Sequence, residues 1–77
     1  MSTVTIKFGS IDNVKNFVNL ISQFDFDFDL ISGRYVIDAK SIMGIFSLDL
    51  SKPIDLTIHT VDRLDEVLSL LEPYLVK

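Results

Sequence analysis

Lys40-Ser41-Ile42-Met43-Gly44-Ile45-Phe46-Ser47-Leu48 lies between two strand-like segments and reads as a short helix. Ser41 stands at its start, where a hydroxyl is placed to accept a hydrogen bond from an amide of the first turn. Ile42, Met43, Ile45, Phe46 and Leu48 are more apolar side chains than one buried face of so short a helix can hold. Some must therefore look outward, and outward apolar groups beside a phosphorylatable serine mark a docking surface. Ile42, Met43 and Phe46 are its expected members, and Ser41 its expected regulatory phosphorylation site. The alternative is that all five apolar residues are core and Ser41 is only a cap.

On the N-terminal side of this stretch, residues 3–8 alternate Val4, Ile6 and Phe8 against Thr3, Thr5 and Lys7, the pattern of a strand with one buried face. Gly9-Ser10 breaks it. Ile11, Val14, Phe17, Val18 and Ile21 then recur at helical spacing, predicting an amphipathic helix that ends near Gln23, with Ser10 or Asp12 as its cap. Asp25-Phe26-Asp27-Phe28-Asp29-Leu30 alternates cleanly and reads as a strand with one face of carboxylates. Ser32-Gly33-Arg34 is a turn signal, and residues 35–38 form the returning strand of a hairpin.

On the C-terminal side, Ser51-Lys52-Pro53 is a loop. Ile54, Leu56 and Ile58 alternate with Asp55, Thr57 and His59 in a further strand. Val61, Leu64, Val67, Leu68, Leu71 and Leu75 mark a last helix, with Asp62, Asp65 and Glu66 favourably near its N-terminus and Pro73 ending or bending it. The order β-α-β-β-α-β-α predicts an α+β open-faced sandwich in which three helices cover one face of a four-stranded antiparallel sheet. Val4, Ile6, Phe17, Ile21, Phe28, Leu30, Ile58, Leu64 and Leu68 are the expected core.

Seventy-seven residues make one domain, here 1–77, with a modest core that the 48% hydrophobic content and six phenylalanines strengthen. There is no cysteine, so disulfide, zinc-thiolate and thiol redox chemistry are excluded, as fits a cytoplasmic protein. The net charge is −4 and no two basic residues are adjacent, which argues against nucleic-acid binding. Apolar runs are too short to span a membrane, and the N-terminus lacks the pattern of a signal peptide.

Few residues carry chemistry. Asp25, Asp27 and Asp29 diverge along a strand, whereas a hard cation needs about six converging oxygens, so no metal site is expected. Gly9 and Gly33 are isolated and make no phosphate-binding loop. Ser10, Ser41 and His59 fall on distant elements and form no triad. His59 is the sole histidine. It reads either as a phosphoacceptor or as a solvent-facing strand residue, and it lacks the helix N-terminus and basic neighbour that a phosphoacceptor needs. Neither a cofactor nor catalysis is expected.

The segment from Lys40 to Gly44, followed by an apolar pair and Ser47-Leu48, resembles the regulatory-serine segment of HPr, the small phosphocarrier family of the bacterial phosphoenolpyruvate:sugar phosphotransferase system. Gln23-Phe24-Asp25 and the Gly33 turn fall where that family has similar features. The resemblance covers nearly the whole chain and implies the same open-faced sandwich. In the family, a histidine in a Gly-x-His-x-Arg-Pro segment after the first strand carries the phosphoryl group. Its labile phosphoramidate suits transfer, and the amides of the following helix hold the anion. Counted back from Gln23 without gaps, Ser10 takes the histidine position, Asp12 the arginine and Asn13 the proline. No histidine or arginine occurs before Arg34. The resemblance therefore implies a divergent, non-catalytic member with a regulatory or protein-binding role through Ser41. Its protein partners, by resemblance, are an HPr kinase or a transcription regulator. The alternatives are a working phosphocarrier with a different acceptor, and a structural or assembly domain unrelated to sugar transport.

Overall fold

The computed structural model describes residues 2–76. Among them run β1 (Ser2–Ile6), α1 (Ile11–Ile21), β2 (Phe28–Ser32), β3 (Tyr35–Asp38), α2 (Ile42–Ile45), β4 (Ile54–Ile58) and α3 (Leu64–Leu70), followed by a 3-10 turn at Glu72–Tyr74. The strands form one antiparallel sheet in the order β1-β4-β2-β3. β4 is inserted between β1 and β2, so α1 crosses over one intervening strand and α2 does the same between β3 and β4. The second crossover reverses both the strand direction and the lateral step of the first. The right-handed rule therefore places both helices on the same face. The result is the expected α+β open-faced sandwich.

Register assembles the core. Val4, Leu56 and Leu30 lie side by side across the sheet, flanked by the pairs Ile6–Ile54 and Ile58–Phe28. The period-2 alternation turns all of these toward the helices. Val14, Phe17 and Ile21 of α1 and Val67 of α3 close over them. Phe17 packs edge-to-face on Phe8 and on Tyr74, at ring distances of 5.0 and 5.9 Å. Six of the nine expected core residues are fully buried, while Val4, Leu64 and Leu68 pack at the margin and stay half-buried. Val4 is on an outer strand, and α3 buries only the single line through Val67 and the following Leu71.

Four expected elements change their limits. β1 stops at Ile6 rather than Phe8, because Gly9 turns the chain at φ +77°. Phe8 nevertheless remains buried. The last helix does not run over residues 61–75. It spans only Leu64–Leu70, capped by Leu71, and Pro73 lies in the 3-10 turn, where its missing N–H costs nothing. The chain then turns along the free edge of β1. Lys7 N–H donates to Tyr74 O and Val76 N–H to Thr5 O, both at 2.9 Å, with Leu75 opposite Ile6. The regular part of α2 spans Ile42–Ile45 rather than residues 41–48. Beyond it the amides of Ser47 and Leu48 reach only to the carbonyls three residues back, a 3-10 taper.

The fourth change is the largest. Residues 25–30 are not one strand, since β2 starts at Phe28 and continues to Ser32. Residues 24–27 form a bend that turns Phe24, Phe26 and Phe28 onto one another, with ring centroids 5.2 to 6.1 Å apart. The ammonium group of Lys40 holds the bend from within. It donates to Phe24 O at 2.7 Å and Phe26 O at 2.9 Å and lies 5.8 Å from the centre of the Phe28 ring. The Arg63 guanidinium covers the other side, 4.8 Å from the Phe24 ring. Carbonyls that a strand would present to a neighbour are instead satisfied by a cation.

Charge-assisted hydrogen bonds contribute about 1.5–3 kcal/mol each when desolvated, and less when partly exposed. Replacing the ammonium by an isosteric apolar group leaves two carbonyls short of a donor. Lys40→Met should therefore lower unfolding free energy by about 2 kcal/mol, read from urea midpoints at unchanged slope. A loss under about 0.5 kcal/mol would show that water replaces the clamp.

Candidate functional site

Lys40 also fixes where the next element starts. The Asp38 carboxylate accepts from Lys40 N–H and the Asp38 carbonyl from Ser41 N–H, each at 2.9 Å. This turns the chain off β3 and leaves Ser41 as the N-cap of α2. Ser41 Oγ accepts from Gly44 N–H at 3.4 Å, a long bond, and the residue is otherwise exposed. Gly44 lets the helix approach the sheet, since a β-carbon there would meet the Ile37 Cγ2 methyl at 2.8 Å.

The apolar residues of this segment divide. Ile45 is fully buried, and Ile42 and Leu48 are half-buried against the core. Met43 is 76% exposed and Phe46 37%. Neither extreme of the sequence reading holds alone: one part of the stretch is core, while Met43 and Phe46 stand outward beside Ser41. Next to them, Ser32, Tyr35, Ile37, Ser47, Leu48 and Asp49 line an open groove of about 370 Å³ between β3 and the loop after α2.

Ser10 and Asp12 lie at the N-terminus of α1. Ser10 is extended, at φ −153°, and its Oγ accepts from Asn13 N–H at 3.2 Å, so Ser10 rather than Asp12 is the cap. Asn13 donates its side-chain amide to Phe8 O at 2.7 Å and ties the helix start to the end of the first strand segment. Asp12 is exposed in the first turn, where a carboxylate favours the helix dipole. The N-terminus of α1 thus already holds a capping hydroxyl and an exposed carboxylate, whose charge repels an anion there.

His59 follows β4 on the sheet face opposite the helices. Its Nε2 lies 2.7 Å from Asp29 Oδ2. Two cross-strand contacts share that face, Thr3 with Thr57 and Thr5 with Asp55, each at 3.1 Å. The His59–Asp29 pair was hidden in the sequence. Each residue has the outward parity, but only the register of β2 on β4 brings them together. Among the described residues no group of three or more acidic, histidine or cysteine side chains is arranged to hold a metal ion. Nor is any helix among them long and apolar enough to cross a membrane.

Three groups at the surface have displaced titrations. Hydrogen bonds from the Ser51 hydroxyl and amide hold Asp49 below the usual carboxylate range. The two-pronged contact between Arg63 and Glu66 lowers the Glu66 carboxyl and raises the Arg63 guanidinium.

The sheet order, the crossovers and the capped segment define an HPr-like open-faced sandwich. Among solved structures, the chain is similar to that of HPr-C-His from Thermoanaerobacter tengcongensis, with a TM-score of 0.75 and 28% identity over 95% of this chain and 89% of that one. No family model and no curated protein sequence matches the chain.

A lowered carboxylate stabilises the folded state above its ordinary pKa, and that stabilisation disappears as pH falls through the depressed folded value. Asp49 and Glu66 therefore contribute at neutral pH and lose their contribution below roughly pH 4. Arg63 stays protonated throughout this range, so the contact is lost only through protonation of Glu66. Glu66→Gln should shrink the fall in Tm between pH 6 and pH 3, roughly the span of carboxylate titration, while changing Tm little at the acid end. An unchanged acid slope would place the acid sensitivity elsewhere.

Proposed function

We propose that this chain is a member of the HPr family that works by binding a protein partner rather than by carrying phosphate on a histidine. The observation that supports this most is the pairing, on one short helix of an HPr-like fold, of the capping Ser41 with outward-facing Met43 and Phe46. Met adapts its shape to a partner and Phe offers a large contact area, as interface centres favour. Ile42 supports the patch from its half-buried place below. Phosphate on Ser41 would add negative charge beside these groups without entering the core, so it would alter docking more than stability. The expected partners are an HPr kinase that modifies Ser41 and a transcription regulator that reads the modified surface. The setting is cytoplasmic, within or descended from the sugar phosphotransferase system.

The negative half of the proposal concerns the α1 N-terminus. Ser10 and Asp12 occupy what the family resemblance makes the histidine and arginine positions. Incubation with phosphoenolpyruvate and the general phosphotransferase enzyme should leave the protein without acid-labile phosphate. Stoichiometric acid-labile labelling would establish a working carrier instead. In the double variant Ser10→His, Asp12→Arg, partial acceptor activity is expected, because the helix amides remain available to the phosphoryl group.

The positive half is read by recovery of partners from a cell extract on immobilised protein. Ser41→Asp and Met43→Asp should each change the set recovered by the wild type while leaving the far-ultraviolet circular dichroism and Tm nearly unmoved. Identical recovery by all three proteins would remove this helix as the interface.

A further inference from the structure

The two edges of the sheet are treated differently. The chain's own last residues cover β1 through the Tyr74 and Val76 bonds. Among the described residues β3 has no strand beyond it. Its backbone phase follows from one bond. Ala39 N–H donates to Phe28 O, so the odd-numbered residues of this strand turn their amides and carbonyls toward β2. Val36 therefore turns both of its groups outward, and Asp38 its N–H, its carbonyl being already bonded to Ser41 N–H. Tyr35 and Val36 are 69% and 66% exposed. Such an edge, with apolar side chains and free backbone groups, is a template for another strand.

Arg34-Tyr35-Val36-Ile37-Asp38 is its own antiparallel complement. With a two-fold axis through Val36, the Val36 residues of two copies exchange both backbone hydrogen bonds. This is the pair type that the outward phase permits. The same register sets Tyr35 against Ile37 of the second copy and Arg34 against Asp38 of the second copy, at both ends of the interface. The parity is right as well, because the paired residues fall on the same sheet face and a slip of one residue would separate them. Arg34 makes no hydrogen bond or ion pair among the described residues. Asp38 lies directly opposite Asp29, a like-charge pair that an incoming cation would relieve.

We propose that β3 is a self-association edge, pairing with β3 of a second copy to form a continuous eight-stranded antiparallel sheet across a two-fold axis. The interface is isologous and closed, so association stops at the dimer. Five residues a side make a small contact, below the roughly 1,200 Å² typical of stable complexes. The dimer is accordingly weak and forms at high protein concentration.

Sedimentation equilibrium of the full chain up to millimolar concentration tests this. The wild type should show a concentration-dependent dimer. Val36→Pro removes the outward N–H but no bond to β2, so it should be monomeric with its fold intact by amide NMR. Arg34→Asp should also be monomeric, because like charges then oppose at both ends. Mixing Arg34→Asp with Asp38→Arg should restore association, since that heterodimer regains opposite charges at both ends. If Asp38→Arg fails to fold through loss of its contact with the Lys40 amide, the Arg34→Asp and Val36→Pro measurements still decide. A wild type that stays monomeric at every concentration would overturn the proposal and leave the edge to a strand from a different protein. A dimer of unchanged affinity in Arg34→Asp and Val36→Pro would overturn it too.

Discussion

The ammonium group of Lys40 is the point on which the middle of this molecule depends. By binding the carbonyls of Phe24 and Phe26 it closes the passage from α1 into β2. Through its own backbone, bonded to Asp38, it closes the passage from β3 into α2. One residue thus joins two connections, its own and that of Phe26 and Phe24, which lie 14 and 16 residues away in sequence. Phe28 enters the core at the correct depth because the bend ahead of it is held. α2 starts at Ser41 because the turn behind it is held. The exposure of Met43 and Phe46 follows from that start, since a helix begun one residue later would rotate by about 100° and present a different pair.

β4 supplies the second constraint. It lies between β1 and β2, and its helix-facing side chains Ile54, Leu56 and Ile58 are almost completely buried. Even Thr57, on the opposite face, is 8% exposed, because Thr3 covers it from β1. The outer strands are correspondingly less buried: Val4 is half-buried and Tyr35 and Val36 are open. The sheet is therefore graded from a closed centre to two edges, one sealed by the chain's C-terminal residues and one left available.

The fold was legible because its main signals are local. The helical spacing of Val14, Phe17 and Ile21, the alternation through Ile54, Leu56 and Ile58, and the Gly33 turn each identify an element without knowledge of its neighbours. The misreading of residues 25–30 shows the limit of that approach. Alternating Asp and Phe is the pattern of a half-buried strand, yet here the phenylalanines gather in a bend because Lys40 and Arg63 supply cations to its carbonyls and rings. Neither cation is near the segment in sequence. The contact of His59 with Asp29 was hidden for the same reason, being set by register across 30 residues. At Ser41 the cap was readable from residue type, but the division of the following apolar residues between core and surface was not. It depends on Gly44 letting the helix settle on Ile37.

The placement of β4 also governs when the structure can come into being. Thr3 and Thr57, which meet across β1 and β4, are 54 residues apart, and among the described residues β1 has no other neighbouring strand in the sheet. During synthesis, α1 and the β2–β3 hairpin can form from local contacts, but the sheet has no centre until the fourth strand arrives. The Tyr74 and Val76 bonds that seal β1 come later still. Such long-range closure slows folding relative to chains built from neighbouring contacts. A chain without β4 would carry an exposed β2 edge and an unpaired β1, so the sheet assembles in one step once β4 and the residues through Val76 have emerged.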